Sequence, residues 1–382
     1  MFSVYQHWDP LKVCIVGRSY PPEFYSWISR SHVRSLFEKI AIETEEDYQN
    51  IIKKLQEFNV EVLRPDIPTD KDLLRSASGQ WLPPPMTPRD HTVMIGERFY
   101  SVLSSLQKMY NAVRQHDWPD CNNWRDWHQL PDQIKEECSK FRGLTPNDTK
   151  WFQIEGCYDN IINYINLQGN TVVKDLHHHL VGSSISRIGK DLYFGTESYQ
   201  QDTTDFQCII SNEFPNNRNH IINTGGHSDG TYCPVCPGLI ISLNDVPTYA
   251  ETFPDWEVVY LPNQSWKAVE PFLQLKQINQ GKWWIPGFEH DREVINTVEE
   301  WLGHWTGYVE ETVFDVNMLI IDPKNVIVFN YNKQVFDALE RYGITPHIVP
   351  FRHRYFWDGG IHCVTTDLHR EGTMQDFFPQ RG

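Results

Sequence analysis

The chain has 382 residues, 40% hydrophobic and 13% aromatic, enough apolar material for a large core and too much for a disordered chain. Its 50 acidic against 34 basic residues give a formal net charge of -16, which repels nucleic-acid phosphates and anionic membranes and favours a small cation on approach. No apolar run reaches the roughly 18 residues of a membrane span, and Met1 to Pro10 lacks the regions of a signal peptide. The cysteines at 14, 121, 138, 157, 208, 233, 236 and 363 are scattered, as reduced thiols in the cytoplasm would be, and not grouped as a disulfide framework.

In chain order, short apolar runs predict buried strands at Val13 to Val16, Val60 to Leu63, Val93 to Ile95, Leu192 to Phe194 and Ile209 to Ser211. Further strands are predicted at Leu239 to Leu243, Val258 to Leu261, Met318 to Ile321 and Val326 to Phe329. Between the first two, Tyr48, Ile51, Ile52, Leu55 and Phe58 have helix spacing over Glu45 to Phe58. Residues 104–150 are rich in Trp, Asp, Asn and Pro without a period, and read as a surface insertion with short helices. The clearest module runs from Asn317 to Phe351: strand, tight turn at Asp322-Pro323-Lys324-Asn325, strand, helix from Lys333 to Tyr342 capped by Gly343, and strand from His347. Weaker strand–turn–strand patterns surround Ile185 to Phe194 and Cys208 to Leu243. Length alone allows two or three domains or one large α/β domain.

Two polar clusters carry the candidate chemistry. Gly359-Gly360-Ile361-His362-Cys363 gives a cysteine a flexible approach and a neighbouring proton carrier, conditions under which a thiol becomes a nucleophile. Gly225-Gly226-His227-Ser228-Asp229 offers a base and an acid; on extended backbone, side chains two apart share a face. Composition alone would make the second cluster a polar turn and the cysteine a buried structural thiol.

Six stretches, in order along nearly the whole chain, resemble the amidinotransferases related to L-arginine:glycine amidinotransferase, in the superfamily that also holds arginine deiminases. They are Trp8-Asp9-Pro10-Leu11 through Arg18, Pro88-Arg89-Asp90, Arg187-Ile188-Gly189-Lys190-Asp191-Leu192, His227-Ser228-Asp229, Val316-Asn317-Met318-Leu319, and Gly359 to Cys363 with Thr366 to Arg370. The resemblance implies one α/β domain over residues 1–382, a five-bladed pseudo-symmetric propeller of ββαβ modules. It implies that Cys363 attacks a guanidinium carbon and forms an amidino-cysteine, while His227 serves as general acid and base. Asp229 would orient that ring or bind the cation, and Asp90 would hydrogen-bond the guanidinium, for which a carboxylate has matching geometry. Arg89, His362 and Gly226 complete the expected substrate-binding set, with a structural role as the alternative for Arg89. The implied partners are a small guanidino donor and an amine acceptor. No cofactor or metal is required, and a homodimer is compatible with the family.

The match breaks in two places. Where the family has a second acidic residue, this chain reads Leu180-Val181-Gly182-Ser183-Ser184; where the family holds a substrate carboxylate with arginine, Val246 stands. Asp175 or one of His177 to His179 could fill the first vacancy. The alternatives are a hydrolase of the same superfamily, a silent ligand-binding relative, and a metal enzyme using His177 to His179 with Cys233 and Cys236. Against the metal, adjacent strand residues alternate faces, and a lone Cys-x-x-Cys lacks the second pair of a zinc ribbon. The aromatic run Phe351 to Trp357 could line a pocket mouth or pack in the core, and Trp283-Trp284 reads as core or insertion rim.

Overall fold

Each hairpin in this chain is followed by a helix and a third strand that returns parallel to the second. The computed structural model describes residues 1–75, 80–101, 154, 156–174, 180–196, 204–224, 227–243, 249–261, 285, 287–288, 290–302, 315–357 and 359–381. The expected insertion at 104–150, His177 to His179, Asp175, Gly226, Val246 and Trp283-Trp284 lie outside those residues.

One module consists of β3 (Thr92–Ile95), β4 (Arg98–Ser101), α2 (Asp159–Leu167) and β5 (Thr171–Lys174). The next has β6 (Ile185–Ile188), β7 (Asp191–Thr196), α3 (Thr204–Glu213) and β8 (Arg218–Asn223). Then come β9 (Tyr232–Cys236), β10 (Leu239–Ser242), α4 (Tyr249–Thr252) and β11 (Glu257–Tyr260), followed by α5 (Arg292–Trp301). β12 (Leu319–Asp322), β13 (Asn325–Val328), α6 (Lys333–Arg341) and β14 (Thr345–Ile348) form a further module. In each, the first strand runs antiparallel to the second and the third runs parallel to it. The remaining sheet is assembled from both ends of the chain. β1 (Leu11–Val16) leads through α1 (Ser31–Glu57) to the parallel β2 (Glu61–Leu63), while β15 (Thr365–Arg370) pairs antiparallel with β1, from Leu11↔Arg370 to Val16↔Thr365. Five three-stranded sheets result, the architecture of a five-bladed α/β propeller of ββαβ modules.

Burial explains why strands of one sheet read differently. β3, β6, β7, β9 and β10 are buried along their whole length; β3, β10 and the middle of β7 appear as apolar runs, whereas Ser186 and Arg187 interrupt β6 and Pro234 interrupts β9. The third strands lie outermost and carry exposed or half-buried residues. One expectation fails: Ile209 to Ser211 belongs to α3, not to a strand. Phe206, Ile210 and Phe214 are buried at helical spacing, and that face outweighs the local preference of paired isoleucines for a strand. α1 begins at Ser31, well before the expected Glu45, because Val33, Phe37, Ile40 and Ala41 continue the buried face of Tyr48, Ile51 and Leu55. Gly343 takes φ +69° after α6, as its cap position predicts.

The aromatic run before the cysteine packs in the core. Phe351 meets Tyr48 and Phe329, Phe356 meets Phe37, and Trp357 Nε1 donates to Thr44 Oγ1 at 2.9 Å. α7 (Arg354–Trp357) is thereby clamped to α1, and this clamp carries the backbone into the cysteine loop.

Candidate active site

A short segment precedes the first strand of every sheet, and these segments meet. Arg89 N–H donates to Cys363 C=O at 3.4 Å, Asn317 Nδ2 to Asp229 C=O at 3.3 Å, and Ser228 Oγ to Ser184 C=O at 3.1 Å. Gly182 closes the ring: a Cβ there would stand 2.9 Å from the Arg89 carbonyl oxygen and 2.6 Å from that of Thr92. Residues far apart in sequence therefore share one locus. Three of the segments are single 3-10 turns, Pro88–Asp90, Gly182–Ser184 and Ser228–Gly230, which turn the chain sharply into each strand.

Cys363 is fully buried in this ring. Its Sγ lies 3.5 Å from Asp229 Oδ2 and receives a hydrogen bond from Asn317 Nδ2 at 3.0 Å. The same Asp229 oxygen is 2.7 Å from His362 Nδ1. Burial first, then the Arg89 guanidinium and His7, push the His362 pKa well below 6.5, outweighing Asp367. A neutral ring beside a carboxylate assigns the proton to Nδ1, which donates to Asp229. His362 is thus committed to Asp229 and does not present that nitrogen to a ligand. With His7, Ser186, Cys233 and Arg370, the pair lines a small pocket.

Arg89 is a correction to its expected role in substrate binding. Its side chain is fully buried behind the cysteine loop. Nε donates to the carbonyls of His362 and Thr365 at 3.1 and 2.9 Å, and Nη1 to Asp367 Oδ1 at 2.9 Å. Asp367 also binds Arg187, at 2.7 and 2.9 Å, and Arg370 at 2.6 Å. Burial would raise the Asp367 pKa, but Arg187, Arg89 and Arg370 together hold it well below 3.8. Burial in turn lowers Arg187 to about 10. His7 Nε2 accepts from the Arg187 backbone N–H at 3.0 Å, and burial followed by Arg187 keeps that ring neutral. The role of Arg89 is to brace the loop that presents Cys363.

Asp90 and His227 form a second pair, Oδ1 to Nδ1 3.7 Å, each less than a fifth exposed. The turn that carries Asp90 is tied to the Cys363 loop through the Arg89 backbone. Where the family pattern calls for a second carboxylate, the structure places the Gly182–Ser184 turn in the ring with Ser183 fully buried. Cys233 and Cys236 lie in β9, where burial raises their thiols to about 12 and 11. Sequence reasoning missed Asn317 and Asp367 as parts of the site. Their signal was positional: Asn317 stands just before β12 as Asp229 stands just before β9, and Asp367 lies in the strand that follows Cys363.

No family model matches the chain. Glycine amidinotransferase, mitochondrial, of Gallus gallus is 24% identical over 98% of this chain and 84% of its own length. L-arginine:L-lysine amidinotransferase of Pseudomonas savastanoi pv. phaseolicola is 22% identical over 54% of this chain and 49% of its own. Among solved structures, the amidinotransferase SxtG of Microseira wollei, from the saxitoxin biosynthetic pathway, superposes with a TM-score of 0.61 at 17% identity over 99% of both chains. Inosamine-phosphate amidinotransferase StrB1 of Streptomyces griseus gives 0.58 at 15% identity over 99% of both. Over nearly its full length, then, the chain is similar in sequence to glycine amidinotransferase, and it shares its fold with the solved amidinotransferases.

Proposed function

We propose that this protein transfers an amidino group from a guanidino donor to an amine acceptor through Cys363. The observation that carries the reading is the buried Cys363 sulfur 3.5 Å from the Asp229 carboxylate, at the junction of five modules, in a chain similar to amidinotransferases. The thiolate attacks the guanidinium carbon and a C–S bond forms. The C–N bond to the departing amine breaks, and that amine leaves with a proton supplied by His227. An incoming amine then attacks the amidino carbon, gives its proton to His227 and releases the thiolate. Asp90 and Asp229 hold the planar cation, whose N–H groups suit carboxylate acceptors. Bound cation also favours the thiolate by direct charge attraction. The step needs no organic cofactor and no metal.

Ser183 in place of a carboxylate leaves the donor pocket with fewer anionic partners, so arginine is one donor to test among several. We read residues 1–382 as one domain acting in the cytoplasm, where the scattered thiols stay reduced. Among the described residues no helix is long and apolar enough to cross a membrane.

Intact-protein mass spectrometry after brief exposure to a panel of guanidino compounds tests the reading. A mass gain of one amidino group on wild type, absent in Cys363→Ala and discharged by an amine, is expected. Turnover of every active donor to a ureido product without amine would establish the hydrolase instead. Retention of full activity by Cys363→Ala would overturn both.

A further inference from the structure

The Asn317 side chain makes four hydrogen bonds, three to the cysteine loop and one to the segment before β9, and both of its polar atoms are used. Its Nδ2 donates to Cys363 Sγ at 3.0 Å and to the Asp229 carbonyl at 3.3 Å. Its Oδ1 accepts from the backbone N–H groups of His362 at 2.8 Å and Cys363 at 3.3 Å. The side chain is buried at the end of the segment that enters β12, so it comes from a different module than the cysteine. Gly360 is shaped to it: a Cβ there would lie 2.2 Å from Asn317 Oδ1 and 2.4 Å from its Cγ.

This arrangement answers an electrostatic problem. A thiolate at Cys363 is withdrawn from water and sits near the Asp229 carboxylate, and both conditions disfavour a second negative charge. An N–H donor aimed at the sulfur supports the anion, and it supports it more strongly than the neutral thiol. We propose that Asn317 is the positioning residue of the nucleophile: its amide N–H stabilises the Cys363 thiolate, while its amide oxygen fixes the loop that carries it. Gly360 permits the approach. The proposal rests on Cys363 as nucleophile but concerns the charge state of the thiol, which can be read without turnover.

The test is the pH titration of ultraviolet thiolate absorbance in the wild-type protein, with Cys363→Ala subtracted, compared with three variants. Asn317→Ala removes donor and acceptor. Asn317→Asp keeps an acceptor for the two backbone N–H groups and loses the donor. Gly360→Ala leaves the amide intact and displaces it. Each variant should show at least about a tenfold smaller thiolate fraction at a fixed pH below its midpoint, the effect of losing one hydrogen bond to a charged group. Asn317→Asp should show the largest effect, because it places a negative charge beside the sulfur. Folding is checked by near-ultraviolet circular dichroism; if Asn317→Ala unfolds, the other two decide. Folded variants that titrate with wild type would overturn the proposal, because a merely structural role lowers thermal stability without moving the titration. The mass-spectrometric adduct separates the two readings: its absence in wild type refutes the transferase, whereas a shifted thiol titration upholds Asn317 regardless.

Discussion

At the residue scale, Asp229 is the group that joins both polar residues of the cysteine motif. One carboxylate oxygen meets His362 Nδ1 at 2.7 Å and Cys363 Sγ at 3.5 Å. Asp229→Asn keeps the shape and removes the charge that would hold a guanidinium. We expect kcat/KM for the guanidino donor to fall about 10- to 100-fold, the worth of a hydrogen bond to a charged partner, with the fold intact. Steady-state kinetics on the donor found by mass spectrometry would check this, and unchanged kinetics would remove Asp229 from the binding set. Cys363, His227, Asp229 and Asp90 were legible as candidates because each stands in a short motif, and the structure places Cys363 beside Asp229 and His227 beside Asp90. For Arg89 the sequence left a substrate-binding and a structural role both open. The motif names it, but its partner Asp367 lies 278 residues away, and only the closed ring shows its Nε and Nη1 turned to the cysteine loop and to Asp367.

At the element scale, the junction is held by one carboxylate among three arginines. Removing a charge from a buried network leaves its partners uncompensated, so Asp367→Asn should cost about 3–5 kcal/mol in urea unfolding. The sign of the pH dependence follows from the depressed pKa of Asp367 in the folded state. Its contribution is complete above the unfolded value of 3.8 and is lost as pH falls through the lower folded value. Wild type should therefore keep this increment at pH 5, and the gap between wild type and Asp367→Asn should close only in stronger acid. A gap that closes nearer neutrality would contradict the assignment. Legibility at this scale follows burial. β3, β10 and the middle of β7 were found as apolar runs, while the fully buried β6 and β9, broken by Arg187 and Pro234, were seen only as weaker strand–turn–strand patterns, and the half-exposed Thr171–Lys174 and Arg218–Asn223 left no clear trace. α3 was misread because Ile209 and Ile210 suggest a strand locally, whereas Phe206, Ile210 and Phe214 reveal the helix only over a longer window.

At the scale of the whole molecule, the resemblance named the propeller and the pairing of strands bears it out; composition could not have done so. Sheet membership depends on which strands meet, and β1 with β15 joins positions 11 and 370. The net charge of -16 belongs to this scale too. A cationic donor approaching such a surface is attracted over about 10 Å at 0.1 M salt, and added salt screens that attraction. KM for a cationic donor should rise with ionic strength while kcat holds; a salt-independent KM would confine the electrostatics to the pocket.

The pairing of β1 with β15 also sets an order of events during synthesis. A ribosome delivers Asp90, His227, Asp229 and Asn317 before Cys363, and the strand that locks the cysteine loop against β1 emerges after it. Domains fold as their chains are made, so the four modules from β3 to β14 can form while the site still lacks its proposed nucleophile. The nascent protein therefore lacks the proposed nucleophile until Cys363 is made, and a ribosome stalled before β15 leaves behind a ring with an open edge at β1.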